Sequence, residues 1–460
     1  MRSLLRCRRG SAAFATLIAL VPLVGVVALG GEAGSWYVTR QHAQNAADAA
    51  AYSGAVQQLC LSDPSSCTVT QTMDYRAKQA AAQNSFCNAG STSYPGSTCG
   101  TSLPAGVSQT VTIASLGSWN GTAGTFVQAT VSQTQPTYLA GVLGLNTVTI
   151  PATAVATVNT VTFPPCVLTL TGSISFQGSP NINAPNCGMA SNDKAANAIN
   201  FTGGGMTMNL GSLSTVGGCT GAASFCNTAL TYMPAPTVNP FSALDGALTT
   251  LCGANPTLPA KCGLPTCKSL GLGTSLVAYT AASKCTNDGI STTGNTALNL
   301  ASGVSVYFIS GTLTLKGGSS ITCNSPCTGV TFILLPGANI DTKGGGTLTL
   351  QGPATAPSTS SLPAALQSYA SLFQYMSMYD ASATAVKFGG DSNITLTGNI
   401  YAPNASVTFQ GNPTIAVGGA GGCGQLIAAS IAFNGNATFD TTGCPTQTKL
   451  PKSQYVQLVQ

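Results

Sequence analysis

The longest apolar stretch of the chain lies near its start: from Ser11 to Gly31, 21 residues, no side chain carries a charge. At about 1.5 Å per residue a helix of that length reaches ~32 Å, the thickness of a bilayer's hydrocarbon core. Its lipid-facing candidates are Phe14, Leu17, Ile18, Leu20, Val21, Leu23, Val24, Val26, Val27 and Leu29. Pro22 sits in mid-span, where a helix in lipid tolerates it. Beyond the apolar run, Ser35 to Leu59 is rich in Ala and Gln and free of Pro, so the helix is expected to continue as a stalk. Within it Ala43, Ala47, Ala50, Ala51 and Gly54 recur at helical spacing, with Asp48 among them. Such a stripe of small residues lets another helix approach closely. The partner is either the chain's own second helix, expected near Gln71 to Phe86, or another subunit.

From Gly106 to Phe163 the period changes to two, in segments such as Thr125–Gln135 and Asn146–Val161. Alternating β-branched residues predict strands. The apolar segment Pro136–Leu145 between them predicts one or two helical turns. After Pro164-Pro165 the chain repeats itself loosely: SISFQGSP (Ser173–Pro180) returns as SVTFQGNP (Ser406–Pro413) and SIAFNGNA (Ser430–Ala437). Related pieces begin at Ile199, Thr312, Thr347 and Ile394. A short strand closed by Gly or Asn buries no apolar face alone, but stacked units build one continuous core. The pattern therefore predicts a β-solenoid, most simply a right-handed parallel β-helix, with a β-sandwich as the alternative. Irregular spacing implies inserted loops, with Thr231–Pro240 and Pro353–Pro363 as candidates.

The expected fold class is an α+β membrane-anchored protein. Residues 1–33 form a basic tail and transmembrane helix, 34–100 a helical stalk with disulfide loops, 101–163 a small β region, 164–450 the solenoid ectodomain and 451–460 a C-terminal tail.

Charge sharpens this picture. Only 6% of the 460 residues are charged, against roughly 25% in ordinary soluble domains. Disorder is excluded by the 44% hydrophobic content and a mean hydropathy of +0.26. The net charge is +5, and Arg2, Arg6, Arg8 and Arg9 supply four of these charges. The remainder leaves no basic surface for nucleic acid. Arginines before the span and Glu32 after it predict a cytoplasmic N-terminus and an outer body. The rival is a cleaved signal peptide, with Ala28-Leu29-Gly30 as its site. Apart from Cys7, all sixteen cysteines lie beyond the span: Cys60, Cys67, Cys87, Cys99, Cys166, Cys187, Cys219, Cys226, Cys252, Cys262, Cys267, Cys285, Cys323, Cys327, Cys423 and Cys444. An even count outside the membrane predicts disulfides. Pairs close in sequence, Cys60 with Cys67, Cys262 with Cys267 and Cys323 with Cys327, are candidates, although connectivity does not follow from sequence.

Groups for catalysis are scarce. Glu32 is the single glutamate and His42 the single histidine. No H-E-x-x-H, G-x-S-x-G or C-x2-C occurs, so no catalytic residue, metal site or cofactor site is assigned. G-x-G-x-x-G at Gly419–Gly424 precedes a strand, and S-x-x-K at Ser191–Lys194 has no accompanying K-T-G. A polysaccharide-active enzyme would need clustered acids, for which stacking of Asp341 on Asp391 is the candidate. Leu372–Asp380 is the best candidate for an exposed apolar patch, although burial in packing is the expected fate of its Met and aromatic residues.

Taken together, Gly10 after the basic residues, Pro22 within the span, Glu32 beyond it and the Q-x-AADAAA-x-x-GA helix of Gln44–Ala55 resemble the start of TadG-like (TadE/TadG-like) proteins of the Tad/Flp pilus-assembly system. Val127–Ala156 resembles the β region that follows in that family. Asn393–Asn412 and Gly424–Phe439 are similar to β-helical extensions on some members. Five residues after Gly10 stands Ala15, where pilin precursors carry glutamate, so peptidase processing is not expected. The resemblance implies a non-catalytic role in pilus assembly or adherence at a bacterial cytoplasmic membrane. The apolar run makes membrane lipid an expected partner and the resemblance implies other Tad pilus-assembly proteins; a surface or glycan ligand is a further candidate that the resemblance does not specify. A secreted β-helical polysaccharide-active enzyme or a glycan-binding adhesin is the alternative.

Overall fold

The computed structural model describes residues 8–62, 67, 70–88, 103–221, 223–228, 230–253, 261–271, 275–292, 294–390, 393–411, 414–416, 424–441 and 450–460. The chain divides into two compact units, Met1–Asn159 with Val456–Gln460, and Thr160–Tyr455.

In the first unit the apolar run and the Ala-rich stretch form one helix, α1 (Arg8–Ser62), which includes Pro22. By length and composition it can cross a membrane. Helix α2 (Met73–Gln83) starts where the Thr72 hydroxyl caps the Tyr75 N–H. Strands β1 (Ser108–Trp119), β2 (Thr122–Pro136) and β3 (Thr147–Thr160) form an antiparallel meander. The β2–β3 connection contains a single 3-10 turn, Ala140–Leu143. The segment 451–460, read from sequence as a tail, carries the strand Gln454–Leu458, which joins the edge of β3. Val459 and Gln460 exchange backbone hydrogen bonds with Val155 there.

The second unit is a 22-stranded parallel arrangement. Its strands pair with strands roughly one sequence repeat away, and the repeated motifs fall in register. Phe388 lies beside Phe409, Phe409 beside Phe433, Phe433 beside Phe176 and Phe176 beside Phe201. Side chains alternate along each strand, so Ile174 and Phe176 are buried while Ser175 turns outward. The five phenylalanine rings stack at 5.6, 5.2, 5.3 and 4.9 Å, with interplanar angles no greater than 18°. Phe225 on helix α3 (Ala223–Thr228) closes one end of the column. A second column runs Leu298, Ile321, Leu348, Ile394, Ile415, Phe439, Ile182, Met208.

The order of stacking differs from the order of the chain. From Pro165 the ladders advance to Leu230–Tyr232, where that direction ends. After a crossing segment they resume at Ile290–Thr292 and return towards the starting point. The last strands, within Gln425–Gly435, lie directly on the first, Pro165–Thr169 and Ile174–Gly178. The related motifs at Thr312 and Thr347 occupy different ladders, since Thr312–Lys316 pairs with Asn339–Gly344 and Thr347–Gln351 with Asn393–Thr397.

The crossing segment holds helix α4 (Ser242–Cys252), whose Leu244, Ala247 and Leu248 are buried with Phe241 against the outward residues Ile333, Tyr379, Tyr401, Ile427 and Leu168. The second insertion adds Leu362, Leu366 and Phe373 to the same cover. One outer face is therefore apolar and covered. Elsewhere Thr, Ser and Asn are frequent at the outward positions, such as Thr207, Asn181 and Thr438. Both expected insertions occur, although the first extends well beyond Pro240.

The disulfides are Cys60–Cys67, Cys166–Cys187, Cys219–Cys226, Cys252–Cys262, Cys267–Cys285 and Cys323–Cys327. The expected pair Cys262–Cys267 is corrected: Cys262 staples the end of α4, and Cys267 ties the crossing segment to Cys285. Cys87 is also disulfide-bonded. Cys7, Cys99, Cys423 and Cys444 lie outside the described residues.

Because Phe433 joins the last strand to the first, Phe433→Ala is expected to destabilise the second unit by about 3–5 kcal/mol. Urea unfolding of the detergent-solubilised chain, followed by circular dichroism, measures this; a change below about 1 kcal/mol contradicts the in-register stack.

Candidate functional site

The residues singled out near the N-terminus converge on the seam where α1 lies along the sheet of the first unit. Ala43, Ala47, Ala50, Ala51 and Gly54 are all buried. At Gly54 an added Cβ would stand 2.9 Å from Val127 Cγ1 of β2 and 3.2 Å from Ala77 Cβ of α2. Intramolecular packing thus occupies the stripe at Gly54, on both α2 and the sheet. Of the two partners weighed from sequence, the chain's own second helix is one that is present. Ser53 Oγ donates to the Arg76 carbonyl at 3.2 Å and Gln57 Nε2 to the Gln71 carbonyl at 2.8 Å, which fixes α2 lengthwise. Gln44 Nε2 donates to Asp48 Oδ1 at 2.8 Å and to the Thr153 carbonyl of β3 at 3.3 Å. Asp48 is half-buried and orients the amide that grips the strand.

Glu32, the first charge after the apolar run, accepts three backbone N–H groups from the β2–β3 connection: Tyr138 at 2.8 Å, Ala140 at 3.0 Å and Leu139 at 3.1 Å. Desolvation pushes this carboxyl up, and the N–H donors of Ala140, Tyr138 and Leu139 more than offset it, so its pKa lies below the ordinary value. The hydrogen bonds favour the carboxylate. Sequence marks Glu32 as the single glutamate, but nothing local reveals a partner 106 residues away.

Ile18, Leu20, Leu23, Val26 and Val27 are exposed on α1, as a lipid-facing surface requires. The side chains of Phe14, Leu17, Val21, Val24 and Leu29, and those of Arg8 and Arg9, lie outside the described set, as do Arg2 and Arg6 entirely. His42 is exposed on the stalk.

The acids of the second unit have separate environments. Tyr379 and Tyr401 donate their hydroxyls to the two oxygens of Asp245 on α4, at 3.1 and 2.6 Å, and Asn239 Nδ2 donates to the Tyr401 oxygen at 2.7 Å. Burial raises the Asp245 pKa, and the hydroxyls of Tyr401 and Tyr379 lower it by less. Burial and the facing Asp245 push both tyrosines up, so both remain neutral donors. This cluster escaped the sequence reading, because α4 arrives from a distant insertion. Asp380 is fully buried beside Leu334 in register; its Oδ1 accepts the Ser382 N–H and its Oδ2 has no partner. Burial drives its pKa well up.

Asp341 lies in register with Lys387; Asp391, the other member of the candidate acid pair, lies outside the described residues. Leu372–Asp380 is not an exposed patch: Leu372, Phe373, Met376, Met378 and Tyr379 are buried under the insertion or in the stack. Ser191 is buried, its hydroxyl accepting from Thr169 and the Asp193 N–H, while Lys194 is exposed. The G-x-G-x-x-G segment lies outside the described residues except at Gly424. Among the described residues no group of three His, Cys, Asp or Glu forms a metal site.

The chain is thus of a definite class: one N-terminal helix long and apolar enough to cross a membrane, docked on a small sheet and followed by a large β-rich, disulfide-bonded region. Residues 10–57, the apolar run and the docking stripe, match the model of the Tad family, described as putative Flp pilus-assembly TadE/G-like. A search of curated proteins gives no match.

Two outcomes follow. Gly54→Leu overpacks the seam and is expected to destabilise the first unit by about 1–3 kcal/mol, with Gly54→Ala costing less, as read by thermal unfolding. Because burial raises its folded pKa, Asp380 keeps its proton to higher pH in the folded state than in the unfolded chain, which loses it near pH 4, so stability falls as pH rises from about 4 towards the folded value, by up to ~1.4 kcal/mol per unit. Urea midpoints at pH 4 and 7 are expected to differ less for Asp380→Asn than for the unaltered chain.

Proposed function

We propose that this protein is a single-pass, non-catalytic component of Tad/Flp pilus assembly or surface adherence, held in the bacterial cytoplasmic membrane with its N-terminus inside. The observation that carries the reading is the Tad match over residues 10–57, a segment in which Glu32, Gln44 and Gly54 hold the β region that follows against the membrane helix. The arginines ahead of the span support the orientation. The disulfides support an ectodomain in an oxidising compartment, periplasmic or extracellular.

The in-register parallel ladders support a right-handed parallel β-helix for the second unit. Its uncovered faces offer aligned Thr, Ser and Asn side chains with little charge, a surface suited to other pilus proteins or to a neutral glycan and unsuited to nucleic acid. Asn209 Nδ2 donates to Asn183 Oδ1 at 2.9 Å and Asn183 Nδ2 to Asp440 Oδ1 at 3.1 Å, so these rows are ordered before any ligand arrives.

Deletion of the gene is expected to abolish attachment of the cells to a surface. Loss of attachment together with loss of pili assigns assembly; loss with pili intact assigns adherence. Unchanged pili and attachment contradict the proposal. Fractionation with N-terminal sequencing tests the anchor: the full chain is expected in carbonate-washed membranes, and a soluble chain starting near Gly31 contradicts it.

A further inference from the structure

Three fixed points along α1 give the orientation of the first unit's sheet. Gly54 abuts Val127, Gln44 grips Thr153 and Glu32 holds Tyr138, Leu139 and Ala140. From Glu32 to Gly54 the helix rises about 33 Å at ~1.5 Å per residue. From Pro136 to Val127 the strand rises about 30 Å at ~3.3 Å per residue. The two lengths agree, so β2 runs alongside the helix and the β2–β3 connection is the part of the sheet nearest the apolar span. The opposite end of the sheet is the β1–β2 turn at Trp119–Thr122.

That connection exposes what a turn in water would hide. Tyr138 is 82% exposed, Leu145 58% and Leu139 38%, and Leu103, from the segment preceding β1, is 39% exposed. Leu103 and Tyr138 line the same cleft, of about 290 Å³, beside Glu32 and Trp36. On α1 itself Tyr37 is exposed, nearly two turns beyond the apolar run. Aromatic rings gather at the level of lipid headgroups, with aliphatic side chains just below. Glu32 satisfies the N–H groups of this turn, removing a cost that otherwise keeps backbone out of a membrane interface.

We infer that the 137–145 connection is a second, interfacial membrane contact: Tyr138, Leu139 and Leu145 enter the headgroup region of the leaflet where the span emerges. The occupant is phospholipid. Glu32 sets the depth, and the sheet is braced upright on the bilayer by the helix and the turn together. This rests on the anchor reading above.

The test uses the full chain in vesicles of phosphatidylcholine and phosphatidylglycerol. One form carries Tyr138→Trp with Trp36→Phe and Trp119→Phe, so that the turn holds the single indole. The other carries Trp36→Phe alone, leaving Trp119 at the far end. Lipids brominated near the headgroup are expected to quench the turn indole at least twofold and to leave Trp119 unchanged, with iodide giving the reverse order. A turn indole quenched by iodide and untouched by brominated lipid, in a chain that stays with carbonate-washed vesicles, overturns the inference and leaves the anchor standing. A chain that does not remain with the vesicles overturns both. Adding Glu32→Gln is expected to weaken the lipid quenching at the turn; no change in quenching contradicts the depth-setting role of that carboxylate.

Discussion

The fold of the large unit depends on backbone hydrogen bonding between strands that are distant in sequence. A chain with so few charges gains little from ion pairs; two are present among the described residues, Lys78 with Asp74 and Lys261 with Asp288, and such exposed pairs contribute at most about 1 kcal/mol each. Parallel ladders satisfy the backbone, and identical registers align Phe with Phe and Ile with Leu. The joint at which residues 425–435 lie on 167–178 makes the arrangement continuous. Without it the two arms would each present an unpaired edge, a template for aggregation. With it, the two chain ends of the unit lie in the middle of the stack.

The covered face follows from the same constraint. Elsewhere the outward residues are mostly polar, with Thr, Ser and Asn frequent beside Asp341, Lys387 and Ala432, and need no cover. On the covered face they are Phe308, Ile333, Tyr379, Tyr401 and Ile427, which must be buried. The crossing segment that carries the chain from one end of the stack to the other supplies the cover, and Asp245 locks it in place through two tyrosine hydroxyls. One insertion thus performs a topological task and a packing task, and the disulfides Cys252–Cys262 and Cys267–Cys285 restrict it further.

Much of this was legible in the sequence, and the failures have physical causes. The helix, its stalk, the second helix and the strand character of residues 106–163 follow from periodicity, because each is stabilised by near neighbours, whereas the fourth strand, Gln454–Leu458, does not. The motif family around Phe176, Phe409 and Phe433 was readable because register forces like onto like. The order of stacking was not, since a ladder bond looks the same whichever rung supplies it. The Asp245 cluster and the Glu32 clamp join residues more than 100 positions apart, and neither acid has a local pattern. The burial of the Met and aromatic residues of Leu372–Asp380 was the expected outcome; what sequence did not reveal is that the insertion around Leu362 and Leu366 covers part of it. Cys262 was misassigned because separation in sequence gives proximity and not direction.

The joint between the ends of the large unit carries the account, and a distance across it is the most direct test. Ser175 and Ala432 are register partners with outward, half-buried side chains, and neighbouring parallel strands lie about 4.8 Å apart. In a chain carrying Ser175→Cys and Ala432→Cys, the account predicts a new disulfide between those two positions in non-reducing peptide mapping, with the native pairs intact. Two thiols that stay open to alkylation under oxidising conditions, while the native pairs form, would contradict it.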